Sequence, residues 1–169
     1  MNLQHLLLRP SLFAWCESSF LGHAIKYSKW DFALLETFHI IGIAVLLGSI
    51  LVVDLRLLGF SMRRVSTEQL AREFAPWTWA AFAFMVATGI PMFFSEAVRM
   101  SLNTAFLVKM TLLGLALLIH ATVHRRATRP GAKENAGFGK LAAYLSLASW
   151  LGVALAGRAI AFFMTLNGA

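Results

Sequence analysis

The sequence has few of the residues that stabilise or solubilise a water-exposed domain. Its single cysteine, Cys16, excludes an intrachain disulfide. Only 14% of the 169 residues are charged, against roughly 25% in an average soluble domain. The opening MNLQHLLLRP has neither the long apolar core nor the small-residue cleavage site of a secretory signal peptide. A chain that is 59% hydrophobic and so poor in charge is typical of a protein whose solvent is lipid.

The positive charge is concentrated rather than spread. The formal net charge is +7, and nine of the fifteen Lys and Arg residues fall in two short segments. This asymmetry indicates membrane topology under the positive-inside bias and not a nucleic-acid surface. We therefore predict a bacterial inner-membrane protein with both segments in the cytoplasm, both termini outside and no nucleic-acid partner. The nine residues are Arg56, Arg63, Arg64, Arg72, Arg125, Arg126, Arg129, Lys133 and Lys140.

Long apolar runs account for most of the chain. Each run can cross a hydrocarbon core of about 30 Å as a helix. We predict an all-α, polytopic membrane protein, formed by residues 1–169 as a single domain with a four-helix transmembrane bundle. An amphipathic stripe that includes Phe13, Cys16 and Phe20 predicts an interfacial helix before the bundle. The predicted bounds are 10–28 for that helix and about 30–60, 77–97, 104–125 and 140–165 for the four spans.

His39 is the most informative residue of the first span. No other ionisable residue follows it for fourteen positions, and an imidazole is too short to reach the headgroups from that depth. It therefore needs a polar partner, a cofactor or a water-filled cavity. Ionisable residues inside a membrane are functional by default, which favours a cofactor or substrate role for His39.

The fixed rise of a helix converts sequence position into depth. His39 and Glu36 lie roughly 6 and 10 Å outside the midpoint of their span, and Lys109 and Arg158 roughly 9 and 7 Å outside theirs. We predict that these four residues converge in the outer leaflet. His120 and His124 fall in the inner leaflet, so that His39 cannot share one iron with His124 across about 20 Å.

Each of these residues also has a structural explanation. Lys109 and Arg158 reach the headgroups by snorkelling, and Gly157 beside Arg158 permits close helix packing. His124 is expected to be a solvated interfacial histidine, and His120 has the hydroxyl of Ser146 or Ser149 as a candidate partner. Both histidines are also candidate metal ligands. Asp54 is expected to pair with Arg56, Arg63 or Arg64 at the end of its span.

Several short motifs resemble a known family. HIIGIAVLLGSILVVDLR from His39 to Arg56, and KMTLLGLALLIHATVH from Lys109 to His124, are similar to the four-helix HemJ-type protoporphyrinogen IX oxidases and the related CopD-like membrane domain. His39, Gly48, Arg56 and Lys109 match the recurrent histidine, glycine, arginine and lysine of that pattern. ETFHIIGIA and LAGRAIAF also resemble an uncharacterised group of bacterial four-helix proteins.

The resemblance implies a b-type haem near the level of His39 and Lys109. His39 would be the axial ligand, with Lys109 as a second ligand or, with Arg158, as a partner of the haem propionates. Gly42 would let the porphyrin approach the backbone, and Glu36 would orient the imidazole or handle a proton. The chain would then act in electron transfer or as a membrane oxidoreductase on a tetrapyrrole or quinone-like substrate.

Two other functions are left open by the sequence. The CopD resemblance allows a copper-handling or transport role, although the seven methionines form no regular Met-x-x-Met ladder. A non-catalytic structural subunit of a membrane complex would use the charged residues as an ion-pair network. The redox partner and the oligomeric state are also left open, and oligomerisation is compatible with every one of these functions.

Overall fold

The computed structural model describes residues 10–60, 62, 64–129 and 136–166. In this part of the chain the structure is all-α, and four helices are long and apolar enough to cross a membrane by length and composition. These are α3 (Asp31–Leu58), α4 (Thr67–Ser95), α6 (Thr104–Ala127) and α7 (Ala136–Leu166). The predicted all-α four-helix membrane bundle is confirmed. Arg63 and Lys133, two of the cations used to predict topology, lie outside the described residues.

The segment before the bundle forms two helices instead of the single one predicted. These are α1 (Pro10–Ser18) and α2 (Phe20–Tyr27), and they are separated by Ser19, whose hydroxyl accepts from the N–H of Gly22 and begins α2. Glu17 accepts hydrogen bonds from Lys26 and from the N–H of Val98, in the short helix α5 (Ala97–Leu102). The hydrogen bond from Lys26 holds the pKa of Glu17 below its ordinary value.

The second span begins ten residues earlier than predicted. Ser66 caps α4 by accepting from the N–H of Gln69, and the helix continues through Pro76, which was expected to precede it. The first turns carry Glu68 and Arg72 and precede the long apolar run from which the predicted start at residue 77 was taken. At the end of α3, Gly59 takes a left-handed conformation with φ of 82°, which a residue without a side chain adopts without strain.

The four spans pack in the order α4, α3, α7, α6. Helices α3 and α4, α3 and α7, and α6 and α7 pack in pairs, whereas α4 and α6 do not pack closely in the described chain. The core is small and includes Leu46, Ile50, Ala81, Ala116 and Trp150. Large apolar side chains such as those of Leu34, Phe38 and Leu118 face outward. This exposed apolar surface matches a bilayer environment.

The two glycines in the middle of α3 have different neighbours. A Cβ on Gly42 would lie 3.0 Å from Phe84 and 3.1 Å from the Met85 sulfur, whereas one on Gly48 would meet nothing within 4 Å. Gly42 is therefore a packing residue between α3 and α4.

We expect Gly42→Ala to destabilise the bundle by about 1 kcal/mol because two side chains must move. Gly48→Ala, the matched control, should be neutral or stabilising by about 0.5–1 kcal/mol because alanine favours the helix. Unfolding of both variants in detergent, followed by circular dichroism, measures the difference. Equal stabilities would contradict the packing role of Gly42.

Candidate functional site

A cavity of about 370 Å³, which we call the outer cavity, lies in the half of the bundle that is farther from the basic segments. All four spans contribute to its wall, and it occupies the gap between α4 and α6. The wall is apolar except for two side chains, His39 from α3 and Lys109 from α6. The rings of Phe93 and Phe106 stack across the gap at 5.5 Å. The cavity is thus an apolar chamber with one imidazole and one amine.

The imidazole of His39 has a defined hydrogen bond. Its Nδ1 lies 2.8 Å from Oγ1 of Thr88 on α4, and that hydroxyl also lies 2.9 Å from the carbonyl of Phe84. Because the hydroxyl has one proton and donates it to the carbonyl, the consistent arrangement is that Nδ1 carries a hydrogen and donates to Thr88. Nε2 then keeps its lone pair. This is the form of histidine that ligates a metal ion.

Small residues make room for both polar side chains. A Cβ on Gly89 would lie 3.1 Å from Cε1 of His39, and one on Gly157 would lie 3.7–3.8 Å from the end of the Lys109 side chain. Gly157 was interpreted from the sequence only as a helix-packing residue. The structure shows that it leaves space for Lys109 beside α7.

The structure does not bring the other predicted site residues into this cavity. On α7 it is Gly157 that faces Lys109. Successive residues on a helix point about 100° apart, so the side chain of Arg158 is directed elsewhere and is exposed. Glu36 is half-buried and lies one turn beyond His39, outside the lining. Gly42 contacts Phe84 and Met85. The predicted convergence therefore holds for His39 and Lys109 alone.

A second polar cluster lies near the basic end of the bundle, where α3 and α6 end. Nε2 of His124 is 3.1 Å from Oδ1 of Asp54, and the side chains are 5% and 0% exposed. The expected solvated position of His124 and the expected arginine partner of Asp54 were both wrong. The Nε of Arg56 donates instead to the carbonyl of Val65.

A local change in helix geometry forms this cluster. Residues His120–His124 make a π turn, in which the N–H of Arg125 donates to the carbonyl of His120 five residues before it. The imidazoles of His120 and His124 stack at 4.7 Å with planes 17° apart. Single π turns inside α-helices are frequent at functional sites. The lone pair of an imidazole nitrogen lies in the plane of its ring, and the planes of these two rings are nearly parallel. The two histidines therefore do not direct their lone pairs at one metal ion.

The cluster borders a second cavity of about 430 Å³, which we call the basic-end cavity. His120 and His124 line it together with Glu68 and Arg72 from α4. A void of about 10 Å³ lies between this cavity and the outer one and shares walls with both. Its lining includes Leu46, Phe82, Trp150 and His120. A void of that size holds one water molecule at most.

Sequence reasoning missed Asp54 as a site residue. The signal that was present is its spacing: Asp54 follows Leu46 and Ile50 at intervals of four, and both are core residues of α3. An acidic residue at the end of such a series is predicted to point inward.

The family comparison agrees with the extent of the bundle. The chain matches a family of unknown function, DUF6644, over residues 12–163. It belongs to that family. The matched range contains α3, α4, α6 and nearly all of α7, and the polar residues of both cavities in this chain lie within it. No curated protein and no solved structure matches the chain.

Proposed function

We propose that the protein binds haem b in the outer cavity and acts in electron transfer or as a membrane oxidoreductase. The observation that carries the proposal is the hydrogen bond between His39 and Thr88. It fixes the ring and leaves Nε2 as a free ligand nitrogen in an apolar chamber between helices. Axial ligation by a histidine whose other nitrogen is hydrogen-bonded is the usual way in which a helical protein holds haem iron.

Lys109 supports the same assignment. It is the one cation in the lining described for this cavity, and a half-buried ammonium is stabilised by an anionic partner. A haem propionate would pair with the ammonium, whereas the neutral amine would be a ligand for the iron. Bound haem supplies one-electron chemistry, and the apolar wall sets a low local dielectric constant around it. The roles proposed from the sequence for Arg158, Glu36 and Gly42 lack this support because none of these residues lines the cavity.

The position of the cavity also favours a lipid-soluble redox partner. The backbones of α4 and α6 do not pack closely, although the rings of Phe93 and Phe106 stack between them, and residues of both helices line the chamber. A quinone-like molecule could approach the chamber from the lipid through this gap. We further infer an orientation in a bacterial inner membrane with the basic end in the cytoplasm and both termini outside, because of the positive-inside bias.

The absorption spectrum of protein purified in mild detergent, with haem supplied during expression, tests the proposal. We expect a Soret band and sharpened visible bands after dithionite reduction. Thr88→Val removes the acceptor for Nδ1 and should weaken haem binding about tenfold, since partners of a ligand histidine contribute about 10–100-fold. Thr111→Val is the matched control, because that hydroxyl bonds only its own helix at Leu107. No haem in the supplemented wild type would contradict the proposal.

Copper handling is the second candidate, and one observation favours it. Met85 and Met110 line the same cavity as His39, which places two thioethers and an imidazole around one space. Thioethers and imidazole are ligands for Cu(I). Metal analysis of the same preparation separates the two proposals: copper without a Soret band would support this one, and haem without copper would contradict it.

A further inference from the structure

Four buried polar atoms near the basic end have no hydrogen-bond partner in the described chain. They are Asp54 Oδ2, His120 Nδ1, Ser146 Oγ and Trp150 Nε1, from α3, α6 and α7. An unsatisfied polar group inside a membrane costs several kcal/mol. Native proteins satisfy such groups with buried water molecules, and each of these waters makes about three hydrogen bonds. These atoms therefore mark a polar interior that extends from the basic end to Trp150, which also lines the outer cavity.

The contacts around these atoms form a continuous series. His124 lines the basic-end cavity and, through Nε2, reaches Asp54 at 3.1 Å. His120 lines the same cavity and also the narrow void above it. The rings of Trp79 and Trp150 meet His120 edge-on at 6.3 and 6.5 Å. The cluster thus joins the basic-end cavity to a carboxylate that is itself fully buried.

We propose that Asp54 and His124 form a proton-exchange site that opens to the basic-end cavity and is completed by buried water, with His120 stacked on His124 in the cavity wall. His124 takes a proton from cavity water at one ring nitrogen and passes the proton on Nε2 to Oδ1 of Asp54. The reverse transfers return the proton to water and restore both groups. Imidazoles suit this role because each nitrogen can either carry or accept a proton. The inference does not depend on haem binding.

The charges around the cluster come from several elements. Helix α4 contributes Glu68 and Arg72 to the cavity wall, and the end of α6 contributes Arg125 and Arg129. On α3, Arg56 lies two residues beyond Asp54 and hydrogen-bonds Val65. The nearby buried residues of α7, Ser146 and Trp150, are uncharged. The alternative to exchange is a permanent Asp54–His124 ion pair with no structural route for protons.

The sequence makes a direct test accessible, because the chain contains two aspartates, Asp31 and Asp54. Labelling aspartate with ¹³C at the carboxyl carbon gives two NMR signals from the full-length protein in nanodiscs, and Asp31→Asn and Asp54→Asn assign them. Asp31 is exposed and serves as the internal reference. We expect the Asp54 signal to show an isotope shift that develops after transfer of the protein into deuterated water, at a rate set by proton exchange through His124.

A second variant separates exchange from a structural pair. The amide of His124→Gln can still donate a hydrogen bond to Asp54. Unlike an imidazole, however, it cannot accept a proton at one nitrogen and release another proton from a second nitrogen. We expect this variant to slow the isotope response of Asp54 at least about tenfold, while His23→Gln, at an exposed position on α2, leaves it unchanged. An Asp54 signal without any isotope response, or an unchanged response in His124→Gln, would overturn the proposal.

Discussion

Replacing His39 with alanine should remove most of the haem from the purified protein. The bond from Nε2 to iron is the main attachment in a chamber whose wall is otherwise apolar apart from Lys109. The protein should remain folded, because Thr88 keeps its hydrogen bond to the carbonyl of Phe84 when the imidazole is lost. The ratio of Soret absorbance to protein, measured beside circular dichroism, gives the haem loss and checks the fold.

Two controls make this result specific to the outer cavity. His23→Ala changes an exposed histidine on α2, and His124→Gln changes one in the other polar cluster. Both should retain wild-type haem. Full haem content in His39→Ala would contradict the proposed function. Haem loss in His124→Gln with haem retained in His39→Ala would move the site to the basic end.

Replacing His124 with leucine should strongly destabilise the protein. The variant leaves the Asp54 carboxyl group buried without its hydrogen-bond partner, and breaking a buried pair by removing one member costs about 3–5 kcal/mol. The expected result is a loss of about 3 kcal/mol in the free energy of unfolding. Unfolding in mixed detergent micelles with increasing denaturing detergent measures it.

A double variant tests whether the loss has this cause. Asp54→Leu combined with His124→Leu removes both polar groups, and apolar replacement of a whole buried pair is often neutral. The double variant should therefore recover most of the stability lost in His124→Leu. If the two single losses add, the residues do not act as a pair and the 3.1 Å contact has no energetic weight.

The architecture could be predicted because composition and run length bear directly on it. Four apolar segments of sufficient length must be helical in lipid, since a helix satisfies its own backbone hydrogen bonds. The predicted bounds of the helices were wrong in segments that are not long apolar runs. The early turns of α4 are polar and begin with the Ser66 cap, and Ser19 divides the N-terminal segment into α1 and α2.

The two polar centres differ in how far the sequence could predict them. Position along a helix gave the shared depth of His39 and Lys109, and both line the outer cavity. The same argument placed Arg158 at that depth, but its side chain is exposed. His124 and Asp54 are close to arginines in the sequence, and this favoured a solvated His124 and an arginine partner for Asp54. The structure instead buries the two side chains as a pair.

The sequence by itself determined that the chain is an all-α bundle with helices long enough to cross a membrane, and it gave the level of each ionisable residue along its own helix, because the rise per residue of a helix is fixed. Only the tertiary structure decided which of these residues face one another. The spans are apolar on every side, so no polar stripe marks the outward face of each helix. Rotation about the helix axis is then set by packing with neighbours, which turned Lys109 and Asp54 inward and left Arg158 outside.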